Sequence, residues 1–150
     1  MDAYESLNRV RARKVEYDRL LNKVEYLTAL AERTTAVLSG MPRASAKHGQ
    51  SDETWASLAD YRSKCEEKLD EYVRQCVLLE EELTTCIKSV RVRTAMHYRY
   101  VDLMSVSDIA SNMAINERNA YRFLKRGRIM YERYYDEMHK KGDNNDERRE

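Results

Sequence analysis

Residues 2–38 contain neither proline nor glycine, and this feature most restricts what the chain can fold into. Only one proline and four glycines occur in 150 residues, so few positions can break a helix. Apolar residues in this stretch recur at alternating spacings of about three and four, the period of one buried helix face. The pattern predicts a helix that ends near Leu38, with polar Lys14 and Thr28 at two positions of that face. The apolar positions are Ala3, Leu7, Val10, Tyr17, Leu21, Val24 and Ala31, widened by Leu20, Leu27 and Leu30.

A second long helix is predicted after a loop over residues 39–52, with Ser51 or Asp52 as its cap. Its apolar residues follow a heptad pattern that only Arg62 interrupts. These residues are Leu58, Cys65, Leu69, Tyr72, Cys76, Leu79, Leu83, Cys86 and Val90. Two helices of similar length favour an antiparallel helical hairpin over residues 1–88. A second contact, with another subunit or with the helix-turn-helix itself, is expected for four further apolar residues: Leu20, Leu27, Leu78 and Ile87.

The segment from Met104 to Met130 has the pattern of two short helices joined by a tight turn. Ser105 or Ser107 can cap the first helix, because a serine oxygen accepts a hydrogen bond from a free backbone N–H. Its inner face is predicted to hold Val106, Ile109, Ala110 and Met113. Residues 114–116 form the turn, with Ile115 directed inward and Asn116 capping the next helix. Ala120, Phe123, Leu124 and Tyr121 are expected to supply the inner face of that helix, which continues through residues 129–139.

A preceding helix from about Ser89 to Val101 completes a three-helix domain over residues 89–141. Its core positions are predicted to be Val92, Ala95, Met96 and Tyr100. The sequence leaves open whether residues 85–100 continue the hairpin helix without a break. Residues 142–150 are charged and lack apolar side chains, which indicates a disordered tail. The predicted fold is therefore all-α: a long antiparallel hairpin, a helix-turn-helix domain and a tail.

The second helix of the turn motif carries a basic outer face suited to the major groove of DNA. Arginine can pair with guanine, and asparagine with adenine, through two hydrogen bonds each. Early residues of a recognition helix usually reach bases, whereas later basic residues meet phosphates. We therefore expect Arg118, Asn119 and Arg122 to read bases. The full set of candidate DNA-binding residues is Ser107, Asn116, Arg118, Asn119, Arg122, Lys125, Arg126 and Arg128.

The charges are unevenly distributed along the chain. Residues 88–141 carry twelve basic and six acidic side chains, a net charge of +6. Residues 51–87 carry four basic and ten acidic side chains, a net charge of −6. Because phosphates attract lysine and arginine, the basic excess supports the assignment of the helix-turn-helix to DNA, although such a charge run also suits any solvated face.

The residues YVDLMSVSDIASNMAINERNAYRFLKRGRIMYE, at 100–132, resemble the helix-turn-helix with which region four of bacterial sigma factors reads the −35 promoter element. Together with the hairpin and the TTAVLSGMPR segment at 34–43, the chain resembles small phage-encoded transcription regulators of the ArpU and RinA types. This resemblance implies control of late phage genes. Two positions depart from the pattern: Ala114 replaces a usual glycine, and Ala120 a usual valine or isoleucine. Because alanine fits this turn only without backbone strain, the turn geometry is expected to deviate.

The expected partners are double-stranded DNA and further copies of the chain in a homo-oligomer. We expect the hairpin either to set the spacing between copies or to contact RNA polymerase. A small terminase subunit that binds DNA for packaging is an alternative, as is a coiled-coil adaptor that binds protein rather than DNA. No phosphate-binding loop or nucleophile motif occurs, so we expect no catalytic residues and no enzyme.

We also expect no cofactor and no metal ion. Cys65, Cys76 and Cys86 lie ten or eleven residues apart, which does not suit a shared metal, and core packing explains them. The sequence shows no signal peptide and no membrane span, which predicts a protein in the cytoplasm of a bacterial host cell.

Overall fold

The computed structural model describes residues 1–38 and 48–146, with side chains described in 1–33 and 52–140. Within these residues the secondary structure is five helices without a strand, as the all-α prediction requires. The helices are α1 (Ala3–Leu38), α2 (His48–Cys86), α3 (Val90–Tyr100), α4 (Val106–Asn112) and α5 (Glu117–Asp146).

Two predicted irregular segments are partly helical. The loop prediction over 39–52 is wrong for residues 48–52, which belong to α2. Gly49 costs a helix only about 1 kcal/mol relative to alanine, and a long helix tolerates that. The tail prediction is likewise wrong for residues 142–146, which continue α5 past Gly142. The remainder of both predictions, residues 39–47 and 147–150, lies outside the described residues.

The described residues divide into two compact units. The head unit consists of residues 1–12 and 74–146, and the hairpin unit of 13–38 and 48–73. The predicted division at residue 88 does not coincide with this boundary, because both ends of the predicted hairpin belong to the unit that contains α3, α4 and α5.

In the hairpin unit, α1 and α2 run antiparallel. The guanidinium Nε of Arg13 lies 2.9 Å from a carboxylate oxygen of Glu71. Further along α1 and further back along α2, the Lys23 ammonium lies 5.8 Å from the ring centre of Tyr61. Residue numbers rise along one helix as they fall along the other, as the hairpin prediction requires. Between the helices the buried apolar residues are Leu27, Ala31, Leu58 and Cys65.

The core of the head unit forms where α3, α4 and α5 pack against one another. The predicted core residues of α3, Val92, Ala95, Met96 and Tyr100, are all buried. Ile87 is fully buried as well, so of its two predicted contacts, with another subunit or with the helix-turn-helix itself, the first is excluded. Val90 is 65% exposed, although the heptad pattern predicts it at the buried face.

A break between α2 and α3 explains both differences. The last helical residue of α2 is Cys86, and Ser89 is the N-cap of α3. The three residues between the helices shift the helical phase, so that Ile87 turns into the core and Val90 turns outward. The helix from α2 is therefore not continuous with α3, which answers the question that the sequence leaves open.

A buried polar cluster joins α5 to the first and second helices within the head unit. The Tyr131 hydroxyl donates to Oε2 of Glu82 at 2.7 Å and lies 2.7 Å from Oγ of Ser6. Because its single hydrogen goes to Glu82, the Ser6 hydroxyl donates to Tyr131. Arg9 donates to Ser6 at 2.7 Å and pairs with both carboxylate oxygens of Glu82 at 3.0 Å. This cluster fixes the continuation of α5 against the first turns of α1 and the last turns of α2.

The same cluster shifts the acid–base equilibria of its members. Burial raises the pKa of Tyr131 well above its ordinary value, so its hydroxyl remains protonated and can donate to Glu82. Burial lowers the pKa of Arg9, but the hydrogen bond and charge of Glu82 outweigh this and raise it. Arg9 Nε is buried without a hydrogen-bond partner in the described residues. The pair is therefore held mainly through the two terminal nitrogens of the guanidinium.

Candidate nucleic-acid interface

The short helix α4 begins with a reciprocal cap. The Ser105 hydroxyl oxygen accepts a hydrogen bond from the Asp108 N–H at 3.1 Å and donates to the Asp108 carboxylate at 2.6 Å. Of the two serines proposed as caps, Ser105 therefore has this role. Ser107 is exposed on α4, and its carbonyl accepts from the Ser111 hydroxyl. Ile109 and Ala110 are buried and hold α4 against the core.

The turn between α4 and α5 adopts a left-handed conformation at Ala114, with φ of 52°. This is the region that glycine favours, and alanine adopts it at a cost of about 1–2 kcal/mol. The Ile115 N–H donates to the Ala110 carbonyl at 3.0 Å, and its side chain is half-buried. The backbone of the turn is therefore strained at Ala114.

Asn116 caps α5, as the sequence predicts. Its side-chain Oδ1 accepts a hydrogen bond from the Asn119 N–H at 2.8 Å. This bond occupies the carbonyl end of the Asn116 amide and leaves the amide NH₂ as the group available to a ligand.

The buried face of α5 follows helical spacing along residues 120, 124, 127 and 131, all of which are buried. Tyr121 is 55% exposed, so its predicted inward position is wrong. Successive helical residues are turned by about 100°, which places Tyr121 to one side of the buried face. Tyr121 lines a concave surface together with Glu117, Arg118, Arg122 and Lys125. From the sequence alone, Tyr121 is expected in the core because an aromatic ring suits a core position.

Gly127 allows α5 to approach α3 closely. A Cβ atom at this position would lie 2.4 Å from Cγ and 2.6 Å from Sδ of Met96. It would also lie 3.2 Å from Cγ1 of Val92. Met96 and Val92 are themselves buried, so neither can move into solvent. Gly127 therefore permits close packing of the candidate recognition helix against α3.

The candidate site residues on α5 occupy its solvent-facing side. Arg118, Arg122, Lys125, Arg126 and Arg128 are exposed, whereas Asn119 is half-buried. At about 100° per residue, positions 118, 122 and 125 fall within about 60° of arc and form the centre of this side. Arg126 and Arg128 flank the centre on opposite edges. The structure therefore brings the central three cations together and spreads the others around them.

The charge on this side of α5 is uncompensated. In the part of the chain that the structure describes, no carboxylate forms an ion pair with Arg118, Arg122 or Lys125, and Glu117 is the one acidic residue lining their surface. Arg128 donates to the carbonyl of Leu124 on its own helix at 3.4 Å. An exposed helix face with unpaired cations is able to bind a polyanion without first breaking internal ion pairs.

The described residues offer little for metal or thiol chemistry. Among them, no group of three or more metal-ligating side chains comes together. Cys65 is buried, and Cys76 and Cys86 are half-buried. Burial raises the pKa of the Cys86 thiol to about 11, so that at neutral pH it is protonated and unreactive.

No helix in 1–38 or 48–146 is long and apolar enough to cross a bilayer.

Comparisons of this chain with protein-family models, with curated proteins and with solved structures gave no match.

Proposed function

We propose that this protein is a sequence-specific DNA-binding transcription regulator of phage or prophage genes, with residues 117–130 of α5 in the major groove. The observation that carries the proposal is the exposed group of unpaired cations at the N-terminal end of α5, held on a packed three-helix core. An α-helix fits the width of the major groove, and its first turns reach the base edges.

The candidate residues divide by position into two kinds of contact. Arg118 and Arg122 lie at the centre of the exposed side and are proposed to read bases, with Asn119 beside them. Lys125, Arg126 and Arg128 are proposed to contact phosphates. Ser107 and the Asn116 amide NH₂ lie on α4 and at the start of α5, where short polar groups suit the DNA backbone.

The link to phage transcription depends on the resemblance of residues 100–132 to sigma region four. Self-association and contact with RNA polymerase belong to the same proposal. Both are expectations for the hairpin, and the test of DNA binding is independent of them.

A selection from random duplex DNA tests the proposal. The wild-type protein is expected to enrich one short motif. An Arg118→Ala/Arg122→Ala variant should lose that enrichment, while Arg133→Ala, on the same helix beyond the proposed groove contact, should retain it. Absence of any motif from a wild-type protein with intact helical circular dichroism would contradict the proposal.

Two single substitutions separate base reading from phosphate contact. Arg122→Ala is expected to cost about 1–3 kcal/mol of specific affinity and to relax the preference at one base position. Arg126→Ala should instead weaken binding to all sequences and lower the salt slope by about one. Fluorescence anisotropy against the selected and a scrambled duplex measures both effects. If both variants bind like the wild type, the assignment of the recognition helix is wrong.

A further inference from the structure

The hairpin unit carries a second basic surface, distinct from α5. An open groove of about 970 Å³ runs between α1 and α2. We name this surface the lysine–tyrosine groove. It is lined mainly by Arg19, Lys23, Tyr26, Tyr61, Lys64 and Lys68. Glu16 is the one carboxylate in the lining.

Several cations of the hairpin unit are paired with carboxylates, but three cations in the groove are not. Arg13 pairs with Glu71 and Glu16, and Lys14 pairs with Asp18. The Lys68 ammonium forms an ion pair with a carboxylate oxygen of Glu16 at 3.3 Å. Within the described residues of the unit, no carboxylate forms an ion pair with Arg19, Lys23 or Lys64. The groove therefore carries three uncompensated positive charges.

This charge is concentrated rather than spread over the unit. Residues 13–73 contain ten basic and eleven acidic side chains, a net charge of −1. A uniform arrangement would leave no positive surface. The sequence at 19, 23 and 26 of α1, and at 61, 64 and 68 of α2, instead places cations and tyrosines at helical spacing on the sides that border the groove.

Tyrosine rings hold the lysine ammonium groups in place. The Lys23 ammonium lies 5.3 Å from the ring centre of Tyr26 and 5.8 Å from that of Tyr61. The Lys64 ammonium lies 5.4 Å from the ring centre of Tyr61. A ring face attracts a cation without neutralising its charge. Two ammonium groups are thus positioned around Tyr61 with their charge available to a ligand.

We propose that the lysine–tyrosine groove is a second surface that contacts the phosphate backbone of DNA, an inference that depends on the proposed function. Lysine suits phosphate as a compact point charge. An acidic protein partner is less well matched, because protein interfaces usually contain an apolar core with aromatic anchors. Here both tyrosine rings are already engaged by ammonium groups.

The test compares two charge-matched variants of the full-length protein. Lys23→Gln/Lys64→Gln removes two charges from the groove. Arg62→Gln/Arg74→Gln removes two charges from α2 outside it. Binding of a long random-sequence duplex is titrated over a series of salt concentrations, and thermal melting verifies that both variants are folded.

The groove variant is expected to lower the slope of log K against log salt by about two, one for each phosphate that the protein then leaves unneutralised, while the control variant keeps the wild-type slope. The motif enriched in the selection should stay the same for both. An unchanged slope in the groove variant, when the wild type binds DNA, would overturn the inference and leave the proposed function standing. If the wild-type protein does not bind DNA, both the inference and the proposed function are contradicted. If poly-glutamate binds the wild type but not the groove variant, and the DNA slope is unchanged, the groove belongs to an acidic protein surface and the inference is overturned.

Discussion

Gly127 provides a direct test of how the candidate recognition helix is seated on α3. Gly127→Ala adds one methyl group at a position where Met96 Cγ would lie only 2.4 Å away. An ordinary contact between two such carbons is about 3.5–4.0 Å, so α5 or Met96 must move by about 1 Å or more. Met96 is fully buried and packed in the head unit, which leaves it no solvent to move into.

Two opposing effects determine the size of the change. Overpacking a filled core costs about 1–3 kcal/mol. Alanine is favoured over glycine in a helix by about 1 kcal/mol. The free energy of unfolding should therefore fall by up to about 2 kcal/mol, the difference between the two. In a chain of this size that lowers the melting temperature by about 2–4 °C for each kcal/mol.

A second substitution reverses the sign and serves as the matched control. In a Met96→Ala background the contacting Cγ and Sδ atoms are absent, so Gly127→Ala should stabilise the protein by up to about 1 kcal/mol through helix propensity. Urea denaturation followed by circular dichroism measures all four proteins of this double-mutant cycle. If Gly127→Ala stabilises the wild-type protein as much as it stabilises the Met96→Ala variant, the proposed close contact between α5 and α3 is refuted.

Four further perturbations test other parts of the structure. Tyr131→Phe removes the hydroxyl that donates to Glu82 and should cost about 1.5–3 kcal/mol in urea denaturation, since the acceptor is charged; a decrease below about 0.5 kcal/mol, on the order of an ordinary surface change, would contradict the cluster. Asn116→Ala removes the α5 cap and should cost about 1 kcal/mol, whereas Ala114→Gly should leave stability unchanged or raise it by up to about 1 kcal/mol; the opposite signs would contradict the turn geometry. The pKa of the Cys86 thiol is raised to about 11, so its stabilising contribution is complete below the ordinary thiol pKa and is lost as pH rises through 11. Alkylation of Cys86, followed by peptide mass spectrometry, should be slow at pH 8 and accelerate toward pH 11; fast reaction at the lower pH would show that the thiol is not protected.

Local patterns predicted most of the helical structure. The cap at Asn116 and the buried positions Ile109 and Leu124 follow from side-chain chemistry and helical spacing alone, and the structure confirms them. The all-α architecture follows because residues 2–38 and the segment after the loop contain few helix breakers. These features depend on neighbours within about one or two turns, which a single sequence displays.

Features that depend on distant residues were not predictable. The heptad pattern continues to Val90, but α2 ends at Cys86, and Ile87 lies in a core to which other helices contribute. The Tyr131 cluster joins Tyr131 to Ser6, more than a hundred positions away in the chain, and no local pattern in a sequence indicates such a pairing. Gly127 has a role only because α3 lies next to it. At the candidate site, the basic face was predictable from spacing, whereas the outward position of Tyr121 depended on which face of α5 meets the core.

The affinity of the wild-type protein for its selected duplex, relative to a scrambled duplex of equal length at one salt concentration, tests the central claim most directly. We expect a preference of about 10³-fold or more, as is typical of specific DNA-binding proteins. Arg122→Ala should reduce this preference, while Arg133→Ala should not. Equal affinity for the two duplexes, from a wild-type protein with intact helices, would contradict the claim that α5 reads DNA sequence.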